Sequence, residues 1–192
     1  MKKGLLIILS GPSGVGKGTL RKEIVKDTSL NLGYSISMTT REPREGEKDG
    51  VDYYFVKEDD FLRDIEDDNF LEYAKFVGHY YGTPKYKVDE MRNKGINVIL
   101  EIEINGAKQV MSKVKDDGVI SFFLMPPNFE ALENRIRNRR TEPEDVIQER
   151  LNKGRKEMTM TESYDYIIIN DDLIRAANEI KSIISNKIKE MK

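Results

Sequence analysis

The chain has 192 residues, enough for one substantial core carrying small inserted units. Charged residues make up 34% of it, yet the formal net charge is -2, so nothing pulls the whole protein toward nucleic acid or an anionic membrane and any basic site must be local. Cysteine is absent, which excludes disulfides and thiolate metal sites, and the apolar run after Met1-Lys2-Lys3 is too short for a signal or membrane segment, so a soluble cytoplasmic protein is expected.

Leu5-Leu6-Ile7-Ile8-Leu9 reads as a buried strand, and Ser10-Gly11-Pro12-Ser13-Gly14-Val15-Gly16-Lys17-Gly18-Thr19 follows it directly. Gly11, Gly16 and Lys17 match the spacing G-x-x-x-x-G-K of a phosphate-binding loop, and the strand before and helix after are the context such a loop needs. Its glycines let backbone N–H groups turn inward around a polyphosphate, the helix N-terminus adds positive potential, and Lys17 brings a mobile charge to the outer phosphates. Gly18 stands where Ser or Thr usually offers a hydroxyl to magnesium, with Thr19 next, so the protein ligand of the metal is left open. This ending resembles the loops of small-metabolite kinases more than those of switch GTPases.

Leu20 to Asp27 has helical spacing and receives the loop, and Leu32 to Ser37 reads as a short strand. Met38 to Asp52 shows no periodicity and reads as a long polar loop holding Arg41 and Arg44, closed by Tyr53-Tyr54-Phe55-Val56. Glu58 to Ile65 can form a short helix, Phe70 to Val77 alternates like a strand, and His79 to Pro84 reads as a turn bearing adjacent phenols. Tyr54, Phe55 and Phe76 are expected to form an apolar centre, and Ser35 to Thr83 as a whole reads as a small β-rich insertion.

Beyond it, helix and strand alternate. Lys85 to Lys94 is a helix, Ile96 to Ile104 a strand with Glu101 and Glu103 late in the run, and Ala107 to Lys115 a helix. Val119 to Leu124 is apolar enough for a buried parallel strand. Phe129 to Arg140 is a helix ending in Arg135, Arg137, Arg139 and Arg140, and Pro143 starts another that reaches about Met160. Tyr166 to Ile169 is the last core strand, followed by the cap sequence Asn170-Asp171-Asp172 and a terminal helix from Leu173 to Met191. The expected fold is α/β, a parallel sheet flanked by helices. In such sheets ligands bind beyond the carboxyl ends of the strands, which puts Lys17, Glu101, Glu103 and Asn170 on one edge.

A phosphate loop alone is compatible with a switch GTPase, a mechanical ATPase or a kinase acting on a small acceptor. The short chain and its two separate basic sets, Arg41 with Arg44 and Arg135 to Arg150, favour the kinase. Phosphoryl transfer depends on positioning and charge neutralisation, and a donor polyphosphate and an acceptor phosphate each require cations. Single arginines in the second set are equally compatible with a solvated helix face.

The joint pattern is specific. Ser10 to Lys17, Ser37-Met-Thr-Thr-Arg41-Glu-Pro-Arg44-Glu-Gly-Glu47, Val51 to Phe55, Phe70-Leu-Glu72, Tyr80-Tyr81-Gly82-Thr83-Pro84 and Ile169 to Asp172 occur in the order in which they occur in guanylate kinases, and the chain resembles that family over essentially its whole length. The resemblance implies a nucleoside monophosphate kinase with a P-loop NTPase-type core (about 1–34, 84–134 and 161–192), a GMP-binding insertion (about 35–83) and a helical lid (about 135–160). It implies transfer of the terminal phosphoryl group of ATP to GMP, giving ADP and GDP, with Mg2+.

By motif position, Gly11, Pro12, Ser13, Gly14, Val15, Gly16, Lys17, Gly18, Thr19, Arg135 and Asn170 would bind ATP. Arg41, Arg44, Tyr53 and Tyr81 would hold the GMP phosphate, which suits a dianion chemically. Ser37, Glu72 and Thr83 would read guanine: a carboxylate accepts from both N1–H and the exocyclic amine, whereas adenine leaves it unpaired. Lys17, Arg44, Arg139 and Arg150 would neutralise the transferring group. Glu101 and Glu103 replace the family's usual aspartates, one expected near the Mg2+ and the other near GMP, while a plain edge-of-sheet role stays open for both. For Asn170 an adenine contact and an ordinary helix cap both remain. ATP and GMP are the expected partners, with no nucleic acid or membrane, and homo-oligomerisation is left open. The alternatives are a catalytically inactive guanylate-kinase-like module that binds phosphopeptides, disfavoured by the intact loop, and a kinase for another nucleoside monophosphate, disfavoured by Glu72 with Ser37.

Overall fold

The computed structural model describes residues 2–138 and 143–191. Strand β1 (Leu6–Ser10) lies at the centre of a five-stranded sheet between β7 (Asn97–Glu101) and β8 (Val119–Met125), with β2 (Leu32–Tyr34) and β9 (Tyr166–Ile169) at its edges. Every pairing in this sheet is parallel. The continuous apolar run in β1 follows from that position, because helices cover both faces. On one face α1 (Lys17–Ile24) and α7 (Leu173–Glu190) pack on Leu5, Ile7, Leu9 and Phe122, while α3 (Lys85–Asn93) and α4 (Ile104–Lys113) pack on Leu6, Ile8, Val98 and Phe123 on the other. Among the described residues no helix is long and apolar enough to cross a membrane.

The segment between β2 and α3 forms a separate four-stranded sheet in the order β4-β3-β6-β5. Its strands are β3 (Met38–Thr39), β4 (Tyr54–Phe55), β5 (Phe70–Phe76) and β6 (His79–Pro84), with α2 (Glu58–Glu66) laid across them. Here the sequence expectations need correction. Met38 and Thr39 begin a strand rather than a loop, and His79 to Pro84 is a full strand, reached from β5 through Val77 and Gly78 at positive φ. A register shift between Phe70 and Glu72 breaks the alternation expected of β5 and turns Glu72 inward. Phe76, expected in the apolar centre, is 65% exposed at the hairpin tip. That centre is instead Phe61 from α2, stacked on Phe70 (centroids 4.3 Å) and Tyr80 (5.4 Å), with Met38 and Tyr54 beside it.

After the core, α5 (Phe129–Arg137) and α6 (Glu144–Glu157) pack through Leu132, Ile136, Ile147 and Leu151. Arg139 and Arg140, expected at the end of α5, lie outside the described residues.

Phe61 is fully buried and a small sheet has few other large side chains to order it. Phe61→Ala is expected to destabilise the protein by about 3–4 kcal/mol. Urea unfolding followed by far-UV circular dichroism checks this, and an unchanged midpoint would remove Phe61 from the centre of the insertion.

Candidate active site

The chain leaves β1 at the carboxyl edge of the sheet and turns through Gly11, Gly14 and Gly16 at φ of 145°, 86° and 99°. Side chains rarely permit these angles, which is what aims successive N–H groups around the start of α1. The back of the loop is braced by distant residues: Asn170 Nδ2 donates to the Val15 carbonyl at 2.8 Å and Arg135 Nη1 donates to the same oxygen at 3.0 Å. Arg135 Nη2 also donates to the Asn170 carbonyl at 2.6 Å. The cap of α7 is Asp172, whose side chain accepts from the Arg175 N–H, so capping does not explain Asn170. The front of the loop is held by α6, where Arg150 Nη2 donates to Ser13 Oγ (3.1 Å) and Glu157 accepts from the Ser13 N–H (3.2 Å).

Between loop and sheet edge opens a cavity of about 560 Å³ lined by, among others, Gly14, Lys17, Tyr34, Glu101, Glu103 and Glu157. Lys17 Nζ donates to the carbonyls of Gly11 (2.7 Å) and Pro12 (3.0 Å). Burial lowers its pKa, opposed by the negative charges of Glu101, Glu157 and Glu103. Pro12 is buried, and Thr19 is exposed at the lining of the cavity. Glu101 accepts from Arg21 Nε at 2.8 Å, and that guanidinium lies 4.0 Å over the Tyr34 ring. Glu103 is more exposed and pairs with Lys153 at 3.3 Å.

Among the described residues no group of three or more His, Cys, Asp or Glu side chains is arranged to hold a cation through protein ligands alone. The donors present nonetheless fit a hard cation arriving with a polyphosphate. An atom built as Cβ on Gly18 would lie 3.3 Å from Glu101 Oε1, so the carboxylate occupies the space beside the position where a loop hydroxyl would otherwise sit.

The insertion sheet contributes a second group of side chains. Arg41 Nη2 donates to Glu47 Oε1 at 2.9 Å, and the second oxygen of Glu47 accepts the Arg44 N–H at 2.7 Å. The Glu47 hydrogen bond raises the Arg41 pKa, and the same bond holds the Glu47 carboxyl below its ordinary value. The Arg41 guanidinium lies 5.5 Å from the Tyr53 ring, which meets Tyr81 edge-on at 6.0 Å. Arg44 extends into solvent, and Ser37 is half-buried with its carbonyl accepting from the Tyr54 N–H. Glu72 is only 8% exposed and accepts from Thr83 Oγ1 at 2.6 Å. Burial pushes its carboxyl above the ordinary 4.5, the Thr83 bond opposes the shift, and Glu103 adds to it.

The structure therefore brings Glu101 and Glu103 to the cavity that the loop borders and sets Arg135, Arg150 and Asn170 against the loop itself, while in the insertion it groups Arg41 with Tyr53 and Tyr81, and Glu72 with Thr83. Arg139 falls outside the described residues. Sequence reasoning missed Arg21, Tyr34 and Glu157. Arg21 follows Lys17 by one helical turn, a spacing that could have flagged it, whereas nothing local marks Glu157.

A family model described as guanylate kinase matches residues 3–187. The chain belongs to the guanylate kinase family. A guanylate kinase of Mycoplasma mycoides subsp. mycoides SC is 50% identical over 184 residues, which is 96% of this chain but only 61% of that relative's length. The crystal structure of guanylate kinase from Anaplasma phagocytophilum superposes with a TM-score of 0.74 at 33% identity, covering 97% of this chain and 87% of that one. An uncharacterized protein from Eubacterium ventriosum, 16% identical over 96% of this chain and 99% of its own, has a TM-score of 0.52 and shares the fold alone.

The burial of Glu72 has a consequence for stability. Its folded pKa lies above the unfolded one, so its contribution is fully present below the unfolded value and is lost as pH rises through the folded value. Glu72→Gln, which cannot ionise, is expected to be more stable than the parent at pH 8, with the difference shrinking toward pH 4. Melting temperatures across that range check this; a gap that widens on acidification would show that Glu72 is ionised at no cost.

Proposed function

We propose that the chain transfers the terminal phosphoryl group of ATP to GMP, giving ADP and GDP. The observation that carries this reading is the start of helix α4: its N-cap residue Glu103 lines the cavity together with Lys17, and its Gly106, one turn on, lies against the buried Glu72 carboxylate. A polyphosphate cradle and a buried carboxylate suited to N–H donors thus flank one helix N-terminus, as a donor and an acceptor nucleotide meeting end to end require.

On this reading residues 35–83 bind GMP, residues 135–160 act as a lid, and the remainder is the core. The loop N–H groups and Lys17 hold the donor phosphates, with Lys17 leaving the Gly11 and Pro12 carbonyls to reach them. Arg41, Tyr53 and Tyr81 take the acceptor phosphate, and its two negative oxygens replace the Glu47 carboxylate on Arg41. Arg44 turns in from solvent to join them. Glu72 accepts from guanine N1–H and the exocyclic amine while Thr83 holds its other oxygen, and Ser37 adds a hydroxyl at the base. A Mg2+ ion would be held through the ATP phosphates and water with Glu101 nearest, and would supply charge neutralisation at the donor phosphates. An oxygen of the GMP phosphate attacks the terminal phosphorus, the bond to the bridging oxygen breaks, and ADP leaves with that electron pair. Arg150, with Arg139 from the lid, neutralises the group in transit.

Two measurements test the proposal. ADP release from Mg-ATP is expected with GMP and not with AMP, CMP, UMP or no acceptor. Equal release without acceptor would mean an ATPase, and no release from folded protein would favour a binding module. Lys17→Met is expected to lower turnover by about 10²–10³-fold with an unchanged circular dichroism spectrum, and near-normal turnover would remove Lys17 from the mechanism.

A further inference from the structure

Helix α4 belongs to the core, but one of its faces runs along β5 of the insertion. Gly106, Gln109 and Lys113 fall on that face, at spacings that place side chains on one side of a helix. Lys113 Nζ donates to the Phe70 carbonyl at 2.9 Å and to Asp68 at 2.7 Å. Gln109 brackets the next stretch of strand: its Oε1 accepts the Tyr73 N–H at 3.1 Å and its Nε2 donates to the Tyr73 carbonyl at 3.0 Å. The main chain on either side of Glu72 is therefore tied to α4.

Gly106 lies one turn before Gln109 and is buried. A Cβ there would sit 2.8 Å from Glu72 Oε2, 3.2 Å from its carboxyl carbon and 3.3 Å from its Cγ. The strand cannot retreat while the Gln109 bracket and the Lys113 bond hold it, so the added carbon would have to displace the Glu72 side chain and its bond from Thr83. Gly106 is not at positive φ, so no backbone requirement explains a glycine inside this helix, where alanine would be the better helix former. Its missing side chain is space that the carboxylate uses.

We infer that Gly106 is a positioning residue for acceptor specificity: together with the Gln109 bracket it sets how deeply the Glu72 carboxylate sits, and so whether that carboxylate meets both N–H donors of a guanine edge. The inference rests on the reading of Glu72 as the group that recognises guanine.

The test is steady-state kinetics of Gly106→Ala, Glu72→Ala and the double variant, varying GMP, ATP and IMP, which keeps N1–H but lacks the exocyclic amine. Gly106→Ala is expected to raise the KM for GMP about tenfold. Its KM for ATP should stay within about twofold and its preference for GMP over IMP should fall, as a displaced acceptor group predicts. Any fall in melting temperature should be confined to the background that keeps the Glu72 carboxylate, and adding Gly106→Ala to Glu72→Ala should leave the melting temperature equal or higher, since alanine favours the helix. Adding Gly106→Ala to Glu72→Ala should change the GMP KM by less than about twofold, because no carboxylate remains to be displaced. If Glu72→Ala impairs GMP use while Gly106→Ala does not, the inference fails and the reading of Glu72 stands. If Glu72→Ala leaves GMP use intact, that reading fails and the inference with it. An equal loss from Gly106→Ala in both backgrounds, or a fall in melting temperature in both, would mean that the Cβ disrupts the helix itself and would overturn the inference.

Discussion

Strand β1 is buried on both faces between β7 and β8, and its last residue must hand the chain to a turn that only glycines can make at three of its positions. Everything at the carboxyl edge follows from that hand-over. The sheet determines where the loop starts, α1 determines where its N–H groups point, and the neighbouring strand β7 ends in Glu101 beside it. The loop is a structure of backbone groups, and backbone groups need support from outside. Asn170 and Arg135 supply it at Val15, and Arg150 and Glu157 supply it at Ser13.

Electrostatics give the site a recognisable character. Cations that would meet phosphate are engaged by groups of the protein: Glu47 occupies Arg41, and the carbonyls of Gly11 and Pro12 occupy Lys17. Such contacts keep charged side chains satisfied without a ligand, and phosphate oxygens can replace them one for one. Glu72 differs, because its carboxylate is buried and, among the described residues, accepts from the Thr83 hydroxyl alone, which leaves burial the larger influence on it. On the proposed reading, a donor pair on a nucleobase edge would relieve that penalty.

The insertion and the core meet along β5 and α4. A small sheet centred on Phe61 has limited rigidity of its own, and the polar bracket from α4 to β5 gives it a fixed edge. Arg21, stacked on Tyr34 and paired with Glu101, ties α1 to the ends of β2 and β7 in the same way.

What was legible from residues alone had a local cause. The phosphate loop is written within ten residues and flanked by its own strand and helix, and the parallel core strands show as continuous apolar runs because both faces are covered. The elements that were misread, Met38-Thr39 and His79 to Pro84, are short polar or aromatic strands whose conformation comes from pairing across the sheet and not from their own pattern. The inward turn of Glu72 goes with a register shift between Phe70 and Glu72, and Phe76 is exposed at the tip of the β5–β6 hairpin, opposite His79. The contacts that shape the site join residues far apart in the chain, such as Asn170 to Val15, 155 residues away, and Glu157 to Ser13, 144 away. The sequence by itself determined the phosphate loop, the α/β class and the family pattern, since each is a matter of neighbouring residues. Only the tertiary structure decided which carboxylate is buried and which side chain brackets which strand, because those depend on the distance between elements that no local spacing encodes.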